Sequence, residues 1–243
     1  EGADATSATI TPTTRIGNFT QIVGKTVQVS GTLESVDKAG RKSEKAYQLA
    51  KASSEMKRDI EAIITANQGQ SNGTSATTAR VMGSLLSYIK TNTNKNGTAT
   101  TGVDPVTIGV STRTDGTTRA FTETMLKDFI AKVFTAQKQV VSGFTGLSAQ
   151  RYQVPTNGQA TILAGADLYQ SDFGVLQIVP NRFMRTRDAL ILDPEYAALA
   201  YLRPFQTNEL AKAGDSDKTQ ILAELTLEVR NEAAHGGVFD LSV

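Results

Sequence analysis

The feature that most constrains this chain is a long apolar stripe. Ala46, Leu49, Ser53, Met56, Ile60, Ile63 and Asn67 recur at spacings of three and four, the repeat that gathers side chains on one face of an α-helix. The other face carries Lys42, Glu44, Lys45, Lys51, Glu55, Lys57, Arg58, Asp59 and Glu61. Favourable and repulsive i,i+4 pairs are mixed there, so the helix needs tertiary contacts to hold it. The stripe predicts one helix from about Ser35 to Gln68, with Gly69 as a glycine C-cap. Its start lies between Ser35 and Ser43, because Gly40 weakens the first turn. At ~1.5 Å per residue such a helix would span roughly 50 Å, against a usual mean of about 11 or 12 residues.

The segments around it differ in character. Residues 1–33 are rich in Thr, Ser, Gly and β-branched residues, and Lys25 to Ser30 alternates as a strand does. A second helix is expected over Val81, Met82, Leu85, Leu86 and Ile89. Residues 91–119 are polar and Gly-rich and read as a long exposed loop. A third helix should start after Thr122 as N-cap, with Phe121 and Leu126 at staple spacing and Met125, Phe129 and Val133 on its apolar face. Strands are expected at 161–168, 175–179 and 189–192, separated by turn residues that include Asp172, Gly174, Pro180, Asn181 and Asp193-Pro194. Residues 203–219, with Pro204 and Gly214, read as a polar excursion. The final run alternates Ile221, Ala223, Leu225, Leu227 and Val229 with Glu224, Thr226, Glu228 and Arg230, a strand with one buried and one wet face. These elements together predict an α+β fold.

Composition excludes several function classes. The 243 residues and 39% apolar content suffice for a large core. With 25 Lys and Arg against 24 Asp and Glu, the chain has no field to hold a polyanion or a membrane surface. The absence of cysteine removes thiolate catalysis, zinc knuckles and disulfides, and the single His235 cannot supply a multi-histidine metal site. No window approaches the ~20 apolar residues of a membrane helix, and no secretory pattern opens the chain. We therefore expect a soluble protein that uses no metal or cofactor and does not engage a membrane. Because the chain opens on Glu1 and not on methionine, an upstream segment is expected.

Two places in the sequence offer candidate catalytic constellations. Asp167 with Asp172, or Asp188 with Asp193, would serve as a carboxylate pair for hydrolysis, but Asp172 and Asp193 stand beside Gly174 and Pro194 as turn residues. Asn231, Glu232 and His235 lie close in sequence, and the simpler reading has them end a strand before a Gly236-Gly237 turn. No phosphate loop, nucleophile elbow or dinucleotide fingerprint is present. Lys38, Arg41, Lys42 and Lys45 sit among acids, which favours a solvated, ion-paired face over a DNA contact. Arg182, Arg185, Arg187 and Arg203 suit interface ion pairs, since the guanidinium fork reaches carboxylates bidentately.

Four segments carry a family resemblance: residues 20–69 (TQIVGKTVQVSGTLESVDKAGRKSEKAYQLAKASSEMKRDIEAIITANQG), 113–130 (RTDGTTRAFTETMLKDFI), 142–146 (SGFTG), and the run from Asp167 through SDFGVLQIVPNRFM to FDL. In this order they resemble the major capsid proteins of tailed bacteriophages. The resemblance implies a Hong Kong 97-like capsid fold, with a long spine helix, a peripheral-domain sheet and an axial domain. The implied division is an extended segment at 1–34, a peripheral domain at 35–69 and 166–230, and an axial domain at 70–165 and 231–243. Two departures stand out: the N-terminal arm and most of the extended loop expected before Glu1, and a shorter stretch between Ala136 and Ser142.

The implied function is structural. Copies would form hexamers and pentamers of an icosahedral head around double-stranded DNA. The partners would be other copies, a portal, and scaffolding, protease or decoration proteins. The protein would be located in the virion after assembly in the host cytoplasm. Residues 203–219 would meet their counterparts near threefold positions, and Arg203, Glu209, Lys212, Asp215 and Asp217 are the expected intersubunit contacts. The alternatives are a nanocompartment shell protein of the same fold, which would enclose a cargo enzyme, and a carboxylate-dependent hydrolase. No catalytic residue is assigned.

Overall fold

The computed structural model describes residues 15–73, 78–98, 100–137, 168–171, 174–177, 179–212 and 214–242. The alternating C-terminal run forms the central strand of the main sheet. Strand β1 (Gln21–Ser30) and strand β6 (Ala197–Leu210) flank β7 (Ser216–Val229), both antiparallel to it. The β1 register runs from Gln21 opposite Leu225 to Ser30 opposite Ser216. The apolar side chains of β7 face one way: Ile221, Ala223, Leu225 and Leu227 are all buried.

The helix predicted over 35–68 covers that face, but it is split. A short α1 (Gly31–Ser35) is followed by an irregular stretch in which Gly40 has φ +83°, and α2 runs from Glu44 to Thr65. The later of the two candidate starts is the real one. Ser43 caps α2, its hydroxyl accepting the Ala46 N–H at 3.2 Å. The Glu34 carboxylate accepts the N–H groups of Glu44 and Lys45, at 3.0 and 3.2 Å. Two side chains thus satisfy donors that a helix beginning at Ser35 would have bonded internally. At 22 residues, α2 is about 33 Å long.

Gly69 is not the C-cap, a place taken by Ala66. A β-carbon on Gly69 would lie 2.0 Å from the Val110 carbonyl oxygen, so glycine is needed there for close backbone approach.

Ala52, Met56 and Ile60 of α2 are buried, packed with Val23, Val27 and Ile221 of the sheet at one end and with Met82, Leu85, Tyr88, Leu225 and Leu227 at the other. The apolar run at 81–89 is buried as predicted but is mostly not helical. Only α3 (Leu85–Tyr88) forms, because Val81 pairs with Ser71 in both directions, at 2.9 and 3.0 Å. The Asn18 amide also clamps the Gly83 backbone, accepting its N–H at 2.8 Å and donating to its carbonyl at 3.2 Å. Helix α4 (Glu123–Gln137) begins where predicted, with the Thr122 hydroxyl accepting the Met125 N–H at 3.4 Å.

Three further expectations are corrected. The 91–119 stretch is irregular but not simply exposed. It buries Asn92, Pro105 and Arg113 and places β2 (Thr93–Asn94) beside the C-terminal strand. The Gly236-Gly237 pair is not a turn. After a 3-10 turn at Glu232–Ala234, β8 (Gly236–Val238) is the buried middle strand of a sheet with β2 and β5 (Ala189–Ile191). A β-carbon on Gly237 would come within 2.4 Å of the Phe239 ring, so glycine serves packing there.

Third, residues 203–219 are not a loop. β6 and β7 are the arms of one long hairpin whose connection is confined to 211–215. Strands β3 (Leu168–Ser171) and β4 (Gly174–Gln177) pair as a separate ribbon. The earlier part of the predicted 161–168 strand, Asp167, Asp172 and the 142–146 segment lie outside the described residues.

Candidate assembly surface

The hairpin gathers most of the charged residues expected at subunit contacts. At its tip, Lys45 Nζ of α2 reaches Glu209 Oε1 at 2.9 Å, and Lys212 Nζ reaches Asp217 at 2.5 Å. The Asp215 carbonyl accepts the Gly31 N–H at 3.2 Å. Hydrogen bonds to their acid partners raise the pKa of Lys45 and of Lys212, and Lys212 in turn lowers that of Asp217. Glu209, Lys212, Asp215 and Asp217 therefore form one cluster, with Lys45 as a member the sequence reading assigned elsewhere. Glu209 keeps 81% of its side chain exposed.

Arg203 stands apart, midway along β6. Its Nε and Nη2 donate to Glu224 Oε2 at 2.9 and 2.8 Å. Glu224 was expected on the wet face of β7, yet its side chain is almost fully covered. Thr20 Oγ1 donates to its other oxygen at 2.7 Å, and Arg80 Nη2 is paired to the same oxygen. The Thr20 hydrogen bond is the largest influence holding the Glu224 pKa below the carboxylate range, with Arg203 and Arg80 helping against burial. One carboxylate thereby joins β6, β7, the segment before β1 and the 78–83 strip. Its guanidinium partners are half exposed.

β7 is covered on one face by α2 and α3 and along its edges by β1 and β6. β6 is paired with β7 along one edge only, and its other edge has no strand beside it among the described residues. From Tyr201 to Leu210 every residue is exposed, and Leu199, Tyr201, Leu202, Phe205 and Leu210 are exposed large hydrophobics. The rings of Tyr201 and Phe205 lie 6.1 Å apart. The register with β7 shifts twice, between Tyr201 and Arg203 and again between Arg203 and Gln206. Pro204 sits inside that irregular stretch and has no N–H to offer. Such an edge is blunted against strand-to-strand pairing, so what it presents is side chains.

The other arginines flagged in the sequence are mostly committed within the chain. Arg185 pairs with Asp115 at 2.5 Å and Asp188 at 3.2 Å, and Arg187 with Asp240 at 3.0 Å and Asp115 at 3.3 Å. Arg182 lies over the Phe183 ring at 5.5 Å. The network extends to a residue that sequence reading missed. Arg113 is 3% exposed, stacked 3.4 Å above Phe239 and paired with Asp104 at 2.5 Å. Burial lowers the Arg113 pKa and pushes that of Asp188 up to about 6, while the Arg185 hydrogen bond lowers that of Asp115. The two members of the candidate pair, Asp188 and Asp193, each have their own partners. Asp188 is held by Arg185, and Asp193 is a turn residue, its carbonyl accepting the Tyr196 N–H at 3.1 Å and its carboxylate the Glu195 N–H at 3.0 Å.

The basic group leading into α2 is mostly ion-paired within the chain. Lys38 meets Glu34 at 3.7 Å, and Arg41 meets Glu44 at 3.1 Å while stacking on Tyr47. Among the described residues no cluster of His, Asp or Glu suits a metal ion, and no helix is long and apolar enough to cross a membrane.

Comparison with known proteins places this architecture. The family model described as SU10 major capsid protein matches residues 1–242. The chain is 26% identical over 280 aligned positions to the major capsid protein of Escherichia phage Phieco32, covering 98% of this chain and 80% of that protein. Among solved structures, a chain of the satellite phage P4 procapsid that includes the size determination (Sid) protein superposes with a TM-score of 0.54 at 11% identity. That match covers 100% of this chain and 78% of the other. The structural likeness is one of fold alone.

Proposed function

The chain belongs to the SU10 major capsid protein family, and from that premise we propose that it is a shell subunit, many copies of which close as hexamers and pentamers into an icosahedral phage head around double-stranded DNA. The observation that carries this reading is β6. It is a 14-residue strand in which Leu199 and Tyr201, opposite the core residues Leu227 and Leu225, and Leu202, Phe205 and Leu210 all remain exposed. A subunit that stayed alone would leave this apolar strip in water, whereas one repeated around a closed shell covers it with a neighbour.

Within this proposal the chain has the Hong Kong 97-like division. Residues 35–69 and 166–230 form the peripheral domain, 70–165 and 231–243 the axial domain, and 1–34 the extended segment. The hairpin tip, with Glu209, Lys212, Asp215 and Asp217, meets its counterparts at threefold positions, and Arg203 contributes from the flank of the same hairpin. A portal, scaffolding, protease or decoration proteins and the packaged DNA are the further partners. The shell forms in the host cytoplasm and becomes part of the virion.

The mass of the purified native particle tests this. The proposal expects a single megadalton species containing DNA, with one vertex bearing a tail. Dimers to hexamers at all concentrations would refute it, and closed shells filled with an enzyme and no DNA would favour a nanocompartment.

A further inference from the structure

The single histidine is built into the join between β8 and the turn after β5. His235 is 1% exposed and lies between the 3-10 turn and β8. Its Nδ1 accepts the backbone N–H of Asp193 at 3.2 Å, so Nδ1 carries no proton and the ring's hydrogen is on Nε2. Nε2 is buried with no hydrogen-bond partner among the described residues. The Asp193 turn that donates to the ring immediately follows β5, and β5 pairs with β8 from Ala189 opposite Val238 to Ile191 opposite Gly236. The chain entering β8 is held by the Asn92 side-chain amide, which donates to the carbonyls of Ala233 at 2.7 Å and His235 at 3.4 Å.

We propose that His235 is an acid-sensitive latch, which when neutral locks the C-terminal strand to the turn after β5 and when protonated releases that join. An imidazolium has donors on both nitrogens. A proton on Nδ1 would face the Asp193 N–H, turning an accepted hydrogen bond into a donor-donor clash, and the new charge would be buried.

The charged groups acting on the ring are the carboxylates of Asp193 and Glu232, both favouring the cation, as does the Tyr196 backbone; burial outweighs them and lowers the imidazole pKa. Glu232 is engaged by the N–H groups of Lys90 and Thr91, at 2.8 and 2.6 Å. The nearby lysines are turned to carbonyls, Lys90 Nζ to Val106 at 2.7 Å and Lys132 Nζ of α4 to Thr93 at 3.2 Å. Asp188, next to β5, is paired with Arg185. The sign follows from linkage. The folded ring binds its proton more weakly than the unfolded one, so its contribution is complete above the ordinary histidine pKa of ~6.5 and is lost as pH falls through the lower folded value.

The latch does not depend on the shell reading, and it is tested on the full chain with hydrogen exchange at pH 7.5 and pH 5, corrected for intrinsic exchange rates. The comparison is between wild type and His235→Asn, whose side-chain oxygen can take the place of Nδ1 but does not titrate. The wild type should lose protection at least tenfold between the two pH values in peptides covering 189–196 and 235–241, with α2 unchanged. His235→Asn should hold its protection at both. Equal loss in the two proteins, or none in the wild type, would overturn the proposal. If His235→Asn fails to fold, His235→Gln is measured in its place, and a wild-type loss spread evenly over all peptides would equally count against a local latch.

Discussion

Replacing Leu202 separates assembly from folding. Its side chain stands at the first register shift of β6 with 65% of the residue exposed. Full burial of a leucine side chain contributes about 1.5–3 kcal/mol, so covering the exposed two thirds at a subunit contact contributes about 1–2 kcal/mol. Leu202→Ala keeps the β-carbon and forfeits roughly 1 kcal/mol of this per contact. At about 1.4 kcal/mol per tenfold, the concentration needed for assembly should rise about fivefold. Leu202→Asp, which would bury a charge, should abolish assembly.

Neither change touches the core, so the melting temperature of the dissociated subunit should stay within the range expected for a surface substitution, about 0.5 kcal/mol. Light scattering against protein concentration reads the threshold, and circular dichroism of the dissociated subunit reads the fold. Shells of Leu202→Asp forming at the wild-type concentration would refute the assignment of β6 as a contact. So would a large drop in subunit stability, since it would mean that Leu202 is part of the core.

Other substitutions follow from the same packing. Met56 is fully buried between α2 and the sheet, and Met56→Ala should cost about 2–5 kcal/mol by cavity formation, read as a drop in melting temperature of about 6–12 °C for a central value of about 3 kcal/mol; a change under about 2 °C would mean that α2 is not held by its apolar stripe. Glu209→Ala should leave the subunit's melt unchanged, because Glu209 is 81% exposed and its pair with Lys45 is a surface ion pair, and should weaken assembly. Arg203→Ala is a less clean probe, because it also strips a donor from buried Glu224. Asp188→Asn tests the buried network: the folded carboxyl, raised to about 6, binds its proton more tightly than the unfolded one at ~3.9. The wild type therefore loses stability from this group as pH rises from about 4 through 6, so the melting temperature of the variant relative to wild type should climb over that interval, and a constant difference would contradict it.

The elements that were legible in the sequence are those that bury one face. The Met56 and Ile60 stripe, the Ile221 to Leu227 alternation and the Thr122 cap each record a local rule, and each produced the expected element. The helix start was half legible. Ser43 was a candidate, but the competing Ser35 start could be dismissed only by Glu34 folding back onto the Glu44 and Lys45 N–H groups, a contact between α1 and α2 that spacing does not encode.

The hairpin at 203–219 reads as a loop in the sequence because β6 is exposed on both faces there. With no buried side, it has no alternation to detect, and Pro204 suggests a loop when it marks an irregular edge strand. Glu224 and Arg113 were hidden for a different reason. A charged residue is expected on a wet face unless its partner is known, and Arg203, Arg80 and Asp104 come from distant segments or across a folded loop. Gly69 and Gly237 looked like a cap and a turn, but each makes room for a neighbour, Val110 in one case and Phe239 in the other. Of the expected contact residues, the tip cluster assembles in space, while Arg203 is occupied by Glu224 within the chain.

The most direct test of the central claim is a cryo-electron microscopy map of the purified particle, detailed enough to place the chain. The account predicts a closed shell of repeated copies in which Leu199, Tyr201, Leu202 and Phe205 of each subunit lie against a neighbour. Particles of a few copies, or a shell in which the 199–210 strand faces water on both sides, would contradict it.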